Sequence, residues 1–224
     1  MKNLTVCQEY TLCLLNKVKK NNGNLYEGKY PGCIALAAIF ELFLSEKIAL
    51  DDKQKVIIKN PIDSDVEYLN VIYADLSNEK PKTLKKWMEH YLAGYSNKPI
   101  KRIVESVIDS LDKKDCLNLE IKNGFLKDKI LFNTNMSDVN HIIEKLRAEL
   151  LESGTMMAET VILASLMHQS GILVDYFSKH EVDQLKTRID EIKKSDNWAT
   201  TSLVKQVVDE LDTVLIITVI AGIV

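Results

Sequence analysis

The chain has 224 residues and a formal net charge of -3 at pH 7. Hydrophobic residues make up 46% of it, while glycines number 8 and prolines 4, a balance that favours a helical protein over a β-sandwich. The acidic pI of about 5.9 and the lack of a recognised nucleic-acid motif argue against nucleic acid as a partner.

The first two predicted helices carry the clearest signals. Thr5 and Gln8 have the spacing of a capping box, which fixes where the first helix begins. Between Ile34 and Leu44 the second helix is apolar except for Glu41. A helix that is apolar on nearly every face must be surrounded by other elements of the same protein, and this one is shorter than the roughly 20 residues that cross a bilayer. We therefore expect it to be the central helix of the fold.

The rest of the chain continues the helical pattern, with two exceptions. The segment 116–132 alternates apolar and polar residues around Asn123-Gly124, which predicts a β-hairpin, and the segment 56–58 is typical of an isolated strand. No Pro/Gly/Ser-rich linker divides the chain. The predicted fold is therefore mainly α: a single globular helical domain over 1–224, around a central apolar helix, with one or more β-hairpins. The predicted helices span 5–20, 32–46, 63–76, 81–94, 99–112, 136–152, 155–177, 181–193 and 199–221.

Basic residues are concentrated in the window 80–102, which contains a single acid, Glu89. The window carries a formal net charge of +6, and the remainder of the chain carries a formal net charge of -9. A membrane surface fits such a patch, because each Lys or Arg near anionic lipid contributes about 1 kcal/mol. The alternative is a solvated helix face without a ligand. The seven basic residues are Lys80, Lys82, Lys85, Lys86, Lys98, Lys101 and Arg102.

No catalytic or metal-binding pattern stands out. GxSxG, Walker and HExxH motifs are absent, and Cys7, Cys13, Cys33 and Cys116 lack the spacing of metal ligands. We expect no cofactor and a cytoplasmic protein with reduced core cysteines, since the N-terminus lacks the long apolar segment of a signal peptide. Glu41 is the one carboxylate whose burial would raise its pKa, and the expected compensation is a structural ion pair.

Segments from Leu4 to the C-terminus, taken in order, resemble the Golgi phosphoprotein 3-like family. The segment 4–15 (LTVCQEYTLCLL) is similar to the family's LTLxEExLLLxL, and 47–50 (KIAL) to its GRIxL. The segment 61–65 (PIDSD) stands where the family has a PTGD turn, and Trp87 matches the lone Trp of the next helix. Near the end, the segment ETVILASLMHQSGIL follows the family's RTLALLxLxHxxxxL helix.

The resemblance implies a non-enzymatic peripheral membrane adaptor that holds the headgroup of phosphatidylinositol 4-phosphate with a Trp and three Arg. By position the Trp falls on Tyr26 and the three Arg on Ala35, Lys101 and Val104, with Arg102 beside Lys101. Guanidinium groups pair with phosphate oxygens, and an aromatic ring suits the lipid interface. The implied partner is therefore an anionic phospholipid or phosphoinositide headgroup.

The candidate lipid-phosphate site uses the cations and the aromatic residue that the chain retains. A second hypothesis is a soluble protein-interaction module that has lost the lipid pocket, because two of the four pocket positions are apolar. The candidate site residues are Tyr26, Lys29, Lys98, Lys101 and Arg102.

The hairpin at 116–132 is the candidate surface for self-association. Its two strands carry more apolar side chains than an isolated two-stranded ribbon can bury on itself. We expect it to project from the helical body and to contact another copy of the chain, and the resemblance implies the same homo-oligomer. The residues expected at this contact are Leu119, Ile121, Phe125 and Leu126.

Overall fold

The computed structural model describes residues 2–20, 24–26, 28–92, 98–122, 129–151 and 157–194. These ranges contain eight α-helices and two antiparallel strand pairs, which confirms the mainly α fold with β-hairpins. The predicted helix at 199–221 lies outside the described residues. The elements are α1 Val6–Lys20, α2 Tyr30–Leu44, β1 Ile48–Leu50, β2 Val56–Ile58, α3 Glu67–Asn78, α4 Leu84–Leu92, α5 Lys98–Asp112, β3 Leu117–Lys122, β4 Lys129–Thr134, α6 Met136–Leu151, α7 Ala158–Gln169, a 3-10 turn Leu173–Asp175, and α8 Lys179–Lys194.

Helix α2 is the centre of the fold, as predicted. Every side chain from Pro31 to Phe43 is buried, and Phe40 is 1% exposed. Helices α1, α3, α4, α5 and α7 all contact it. Apolar side chains of these helices join it in one cluster of buried residues, so the continuous apolar surface of α2 is removed from water on all sides.

Glu41 is buried within α2, but the predicted ion pair is wrong, since no cation of the described residues lies within ion-pair distance of its carboxylate. Its carboxylate accepts hydrogen bonds from the Cys7 N–H at 2.7 Å and from the Tyr68 O–H at 3.0 Å. The Tyr68 hydroxyl also lies 2.8 Å from Thr5 Oγ1. Burial raises the pKa of Glu41, and these hydrogen bonds oppose that shift. Neutral donors on α1 and α3 therefore compensate the buried carboxylate, and the three helices meet at it.

The starts of two helices follow from hydrogen bonds of the residues that precede them. The predicted capping box is confirmed, since the Thr5 N–H bonds to Gln8 Oε1 at 3.2 Å and the Gln8 N–H to Thr5 Oγ1 at 3.3 Å. Helix α4 begins at Leu84, three residues later than predicted. The Val56 N–H donates to the Lys82 carbonyl at 2.9 Å and a β-bridge follows it at Thr83, so this segment is extended and cannot start the helix.

The predicted helix over 155–177 is interrupted at Gly171. Helix α7 ends at Gln169, and Gly171 has a φ of +77°, a left-handed conformation that glycine adopts without strain. The Ile172 N–H bonds to the Met167 carbonyl and the Gly171 N–H to the His168 carbonyl, both at 3.0 Å, which is a Schellman motif. The chain then continues as the 3-10 turn, so one predicted helix is two elements.

Both strand pairs are hairpins. The strand predicted at 56–58 is β2, and its partner is β1, with Ile48 opposite Ile58. The predicted hairpin over 116–132 is confirmed by the pairing of β3 with β4, whereas its turn at 123–128 lies outside the described residues. Strand β4 packs against α1, where the Lys19 ammonium donates to Asn133 Oδ1 at 2.7 Å. No helix in the described ranges is long and apolar enough to cross a bilayer.

Candidate functional site

Tyr26 lies in the loop between α1 and α2, with 41% of its surface exposed. The Tyr26 N–H bonds to Asn24 Oδ1 at 3.0 Å, which fixes the backbone of the loop at this point. Burial of its inner part raises the pKa of the Tyr26 phenol, and the negative charge of Glu105 raises it further. The phenol therefore lies close to α5, on the face that carries Glu105.

Lys29 comes from the same loop and stands at the start of α2. Its carbonyl accepts the Cys33 N–H at 3.0 Å, so Lys29 is the N-cap residue, and its side chain is half-buried. The loop thus brings an ammonium group to the first turn of the central helix. This is the end of a helix at which negative charge is favoured.

Lys101 and Arg102 lie in the first half of α5, and both are exposed. The Lys101 ammonium is 3.6 Å from Glu105, one turn along the same helix, and the Arg102 guanidinium is 3.3 Å from Glu67 on α3. Glu105 thus interacts with Lys101 through an ion pair and with Tyr26 through its charge, whereas Arg102 reaches towards α3. The side chain of Lys98, at the start of α5, lies outside the described part of the chain.

The basic window is less positive in the folded chain than along the sequence. Its cations contact acids that stand outside the window: Lys82 pairs with Glu79, in addition to the pairs of Lys101 and Arg102. These three acids lower the charge of the surface from +6 to +3. The spacing of four residues between Lys101 and Glu105 could have shown one of these pairs, whereas nothing in the sequence links Arg102 to Glu67.

Ala35 and Val104 are core residues of this fold. Ala35 is 1% exposed and Val104 is fully buried, on α2 and α5, two helices that pack together. A guanidinium at either position would have to leave the core to reach water, because a buried charge needs a partner. These two positions therefore add packing to the core and no charge to the surface.

The arrangement can hold an anion electrostatically, with an exposed aromatic ring beside the cations. Among the described residues, no group of three His, Cys, Asp or Glu side chains has the geometry to hold a metal ion. The four cysteines are buried and unoxidised, and burial raises the pKa of the Cys33 thiol to about 11. Thiols in such surroundings are mostly protonated at neutral pH, which disfavours nucleophilic chemistry.

Comparison with known proteins gives one family. A family model described as Golgi phosphoprotein 3 (GPP34) matches residues 8–211. The match includes Tyr26, Lys29, Lys101 and Arg102, and both hairpins lie within it. No curated protein matches the chain.

Proposed function

Because this chain belongs to the Golgi phosphoprotein 3 (GPP34) family, we propose that it is a non-catalytic peripheral membrane protein that binds anionic lipid headgroups, with phosphatidylinositol 4-phosphate as the first candidate. The proposed site consists of Tyr26, Lys29, Lys98, Lys101 and Arg102. The protein would act at the cytoplasmic surface of a membrane, as an adaptor without a cofactor.

The observation that carries this proposal is the position of Tyr26. Its ring is exposed, and Glu105, the acid that pairs with the exposed Lys101, is near enough to act on its phenol, so an aromatic side chain and a cation belong to the same region of the surface. An amphipathic ring is suited to the boundary between headgroups and acyl chains. A phosphate held by Lys101 would place the lipid next to that ring.

The burial of Ala35 and Val104 favours a second candidate function. With two pocket positions in the core, the chain lacks two guanidinium groups that could make charge-assisted hydrogen bonds of about 1.5–3 kcal/mol each. A protein-interaction module that has lost specific phosphoinositide binding would have these features. The two candidates differ in whether the chain distinguishes a phosphoinositide from other anionic lipids.

Co-sedimentation with vesicles separates the two functions. We expect the chain to bind vesicles that contain phosphatidylinositol 4-phosphate more tightly than phosphatidylserine vesicles of the same surface charge. The double substitution Lys101→Glu with Arg102→Glu should abolish this difference, because both cations of α5 are reversed, while the melting temperature stays nearly unchanged since both side chains are exposed.

The matched control reverses two exposed lysines on α8, Lys179→Glu with Lys186→Glu. If this control weakens phosphoinositide binding as much as the α5 variant, only bulk charge matters and the site is wrong. If the parent chain binds both kinds of vesicle equally, the headgroup function is wrong and the protein-interaction function is favoured.

A further inference from the structure

The fold places two lysine-rich segments, about 30 residues apart in sequence, side by side. Lys55 forms a β-bridge with Thr83, and the Val56 N–H donates to the Lys82 carbonyl at 2.9 Å. One hydrogen bond and one antiparallel bridge therefore join the segment before α4 to the start of β2. Because the pairing is antiparallel, the chain after Thr83 continues at the end of β2 near the β1–β2 turn, which contains Lys53, whereas Lys80 lies towards Ile58 at the other end of β2.

Four lysines at this junction are without acidic partners. Within the described part of the chain, no carboxylate lies within ion-pair distance of the ammonium groups of Lys53, Lys55, Lys80 or Lys86, which we call the lysine surface. Three of the four are exposed and Lys55 is half-buried. The other lysines nearby are paired: Lys59 with Glu46, Lys82 with Glu79, and Lys85 with Glu89.

The nearby acids at the turn do not cancel this charge. One oxygen of Asp51, Oδ1, accepts the N–H groups of Lys53 and Lys55, both at 2.9 Å, so this carboxylate is directed at the backbone of the turn. Asp52 is exposed at the tip. The four unpaired lysines against these two acids leave a net charge of about +2, with an exposed apolar side chain, Ile58, at the end of β2.

One acid of α3 interacts electrostatically with both the headgroup site and the neighbourhood of the lysine surface. The half-buried Asp75 of α3 is close enough to Arg102 for that cation to lower its pKa, and close enough to Glu79 for that acid to raise it. Glu79 in turn pairs with Lys82, beside Lys80. Asp75 therefore senses the charge of a cation of the proposed headgroup site and that of an acid beside the lysine surface.

We propose that the lysine surface lies against the headgroups of an anionic bilayer and attracts the protein to it whatever the identity of the headgroup. Lysine ammonium groups on flexible stems act as point charges with little directional preference, which suits a diffuse layer of phosphates better than one stereospecific ligand. The exposed Ile58 adds an apolar contact at the same boundary. The inference rests on the proposed membrane function, but it concerns different residues and a different lipid dependence.

The test uses vesicles of phosphatidylcholine with phosphatidylserine and no phosphoinositide, at low salt. Each lysine near an anionic surface accounts for about fivefold in partitioning. Replacing Lys53, Lys80 and Lys86 together by Gln should therefore weaken binding at least about tenfold. Raising the salt should reduce the difference between parent and variant, because exposed charges are screened within about 8 Å at physiological ionic strength.

The control replaces three other exposed lysines, Lys19, Lys179 and Lys186, by Gln, which changes the net charge equally. A loss of less than about twofold in this control supports the proposal. An equal loss in both variants, or a parent chain that does not bind phosphatidylserine vesicles, overturns it. The headgroup function would survive either result if the parent still prefers phosphatidylinositol 4-phosphate over a charge-matched vesicle.

Discussion

Lys101 and Arg102 each contact an acid of the same chain, at 3.6 Å and 3.3 Å. Such exposed pairs contribute about 0–1 kcal/mol, because water and salt screen them. An incoming phosphate therefore competes with Glu105 and Glu67 for these cations at a modest cost. The two acids lower the affinity of the site for anions, but they do not prevent an anion from binding.

Removing these two acids should strengthen lipid binding. In the double variant Glu67→Gln with Glu105→Gln, Lys101 and Arg102 lose their competing partners, and we expect binding to phosphatidylinositol 4-phosphate vesicles to tighten about two- to fivefold. The control is Asp109→Asn with Glu191→Gln, which removes two exposed acids that pair with Lys113 and Arg188 and changes the net charge by the same amount. Equal tightening in both variants would mean that only net charge governs binding.

Glu41 shows how much of a single residue's environment can be predicted from the sequence alone. Its burial follows from the sequence, because it stands alone in an apolar helix. Its partners do not, since the Cys7 N–H and the Tyr68 hydroxyl come from two other helices. Any donor on a neighbouring element can compensate a buried carboxylate, and only the three-dimensional arrangement selects among cations, hydroxyls and backbone groups.

Helix α2 is the element on which the others depend. Phe40 lies in its middle, 1% exposed, among side chains of the surrounding helices. We expect Phe40→Ala to lower the free energy of unfolding by roughly 3–5 kcal/mol, because the lost ring leaves a cavity that the neighbours fill only in part. Denaturant unfolding measures this change. Phe40→Leu should cost less, since leucine refills part of the volume, and an equal cost for both would contradict a cavity effect.

Element boundaries were predicted well where the signal is local. The capping box at Thr5 sets the start of α1 through two hydrogen bonds within four residues. Gly171 was an equally local signal for the end of α7, and the prediction of one helix over 155–177 overlooked it. The start of α4 was not predictable in this way, because Lys82 pairs with Val56 and Thr83 with Lys55, across 26 and 28 residues.

At the scale of the whole molecule, the candidate site was partly predictable from the sequence. The resemblance gave the family and pointed to Tyr26 and Lys101, and Glu105 interacts with both of them. The sequence did not show that Glu67 pairs with Arg102, or that Lys55 pairs with Thr83, since each of these contacts joins separate elements. Charge counted along a window overstates a surface patch when acids from other parts of the chain fold onto it.

The hairpin of β3 and β4 is the surface that is predicted to join copies of the chain. Strand β4 is covered by α1, but Leu119 of β3 is 41% exposed and stands opposite Phe132. The side chain of Ile121 and all of Phe125 and Leu126 lie outside the described residues. Helix α1 covers the strand pair on the side of β4. The exposed Leu119 therefore leaves apolar surface on β3 for a second copy of the chain.

Sedimentation velocity tests whether this surface joins copies of the chain. We expect the parent to be oligomeric and Leu119→Glu to be monomeric, because a charge in an apolar contact would lose its hydration. The control, Val174→Glu, places the same charge on an apolar side chain that is 66% exposed in the 3-10 turn, and it should leave the mass unchanged. Replacing 123–126 by a short polar turn should have the same effect as Leu119→Glu. A monomeric parent, or a Leu119→Glu variant that stays fully oligomeric, would exclude the hairpin as the contact.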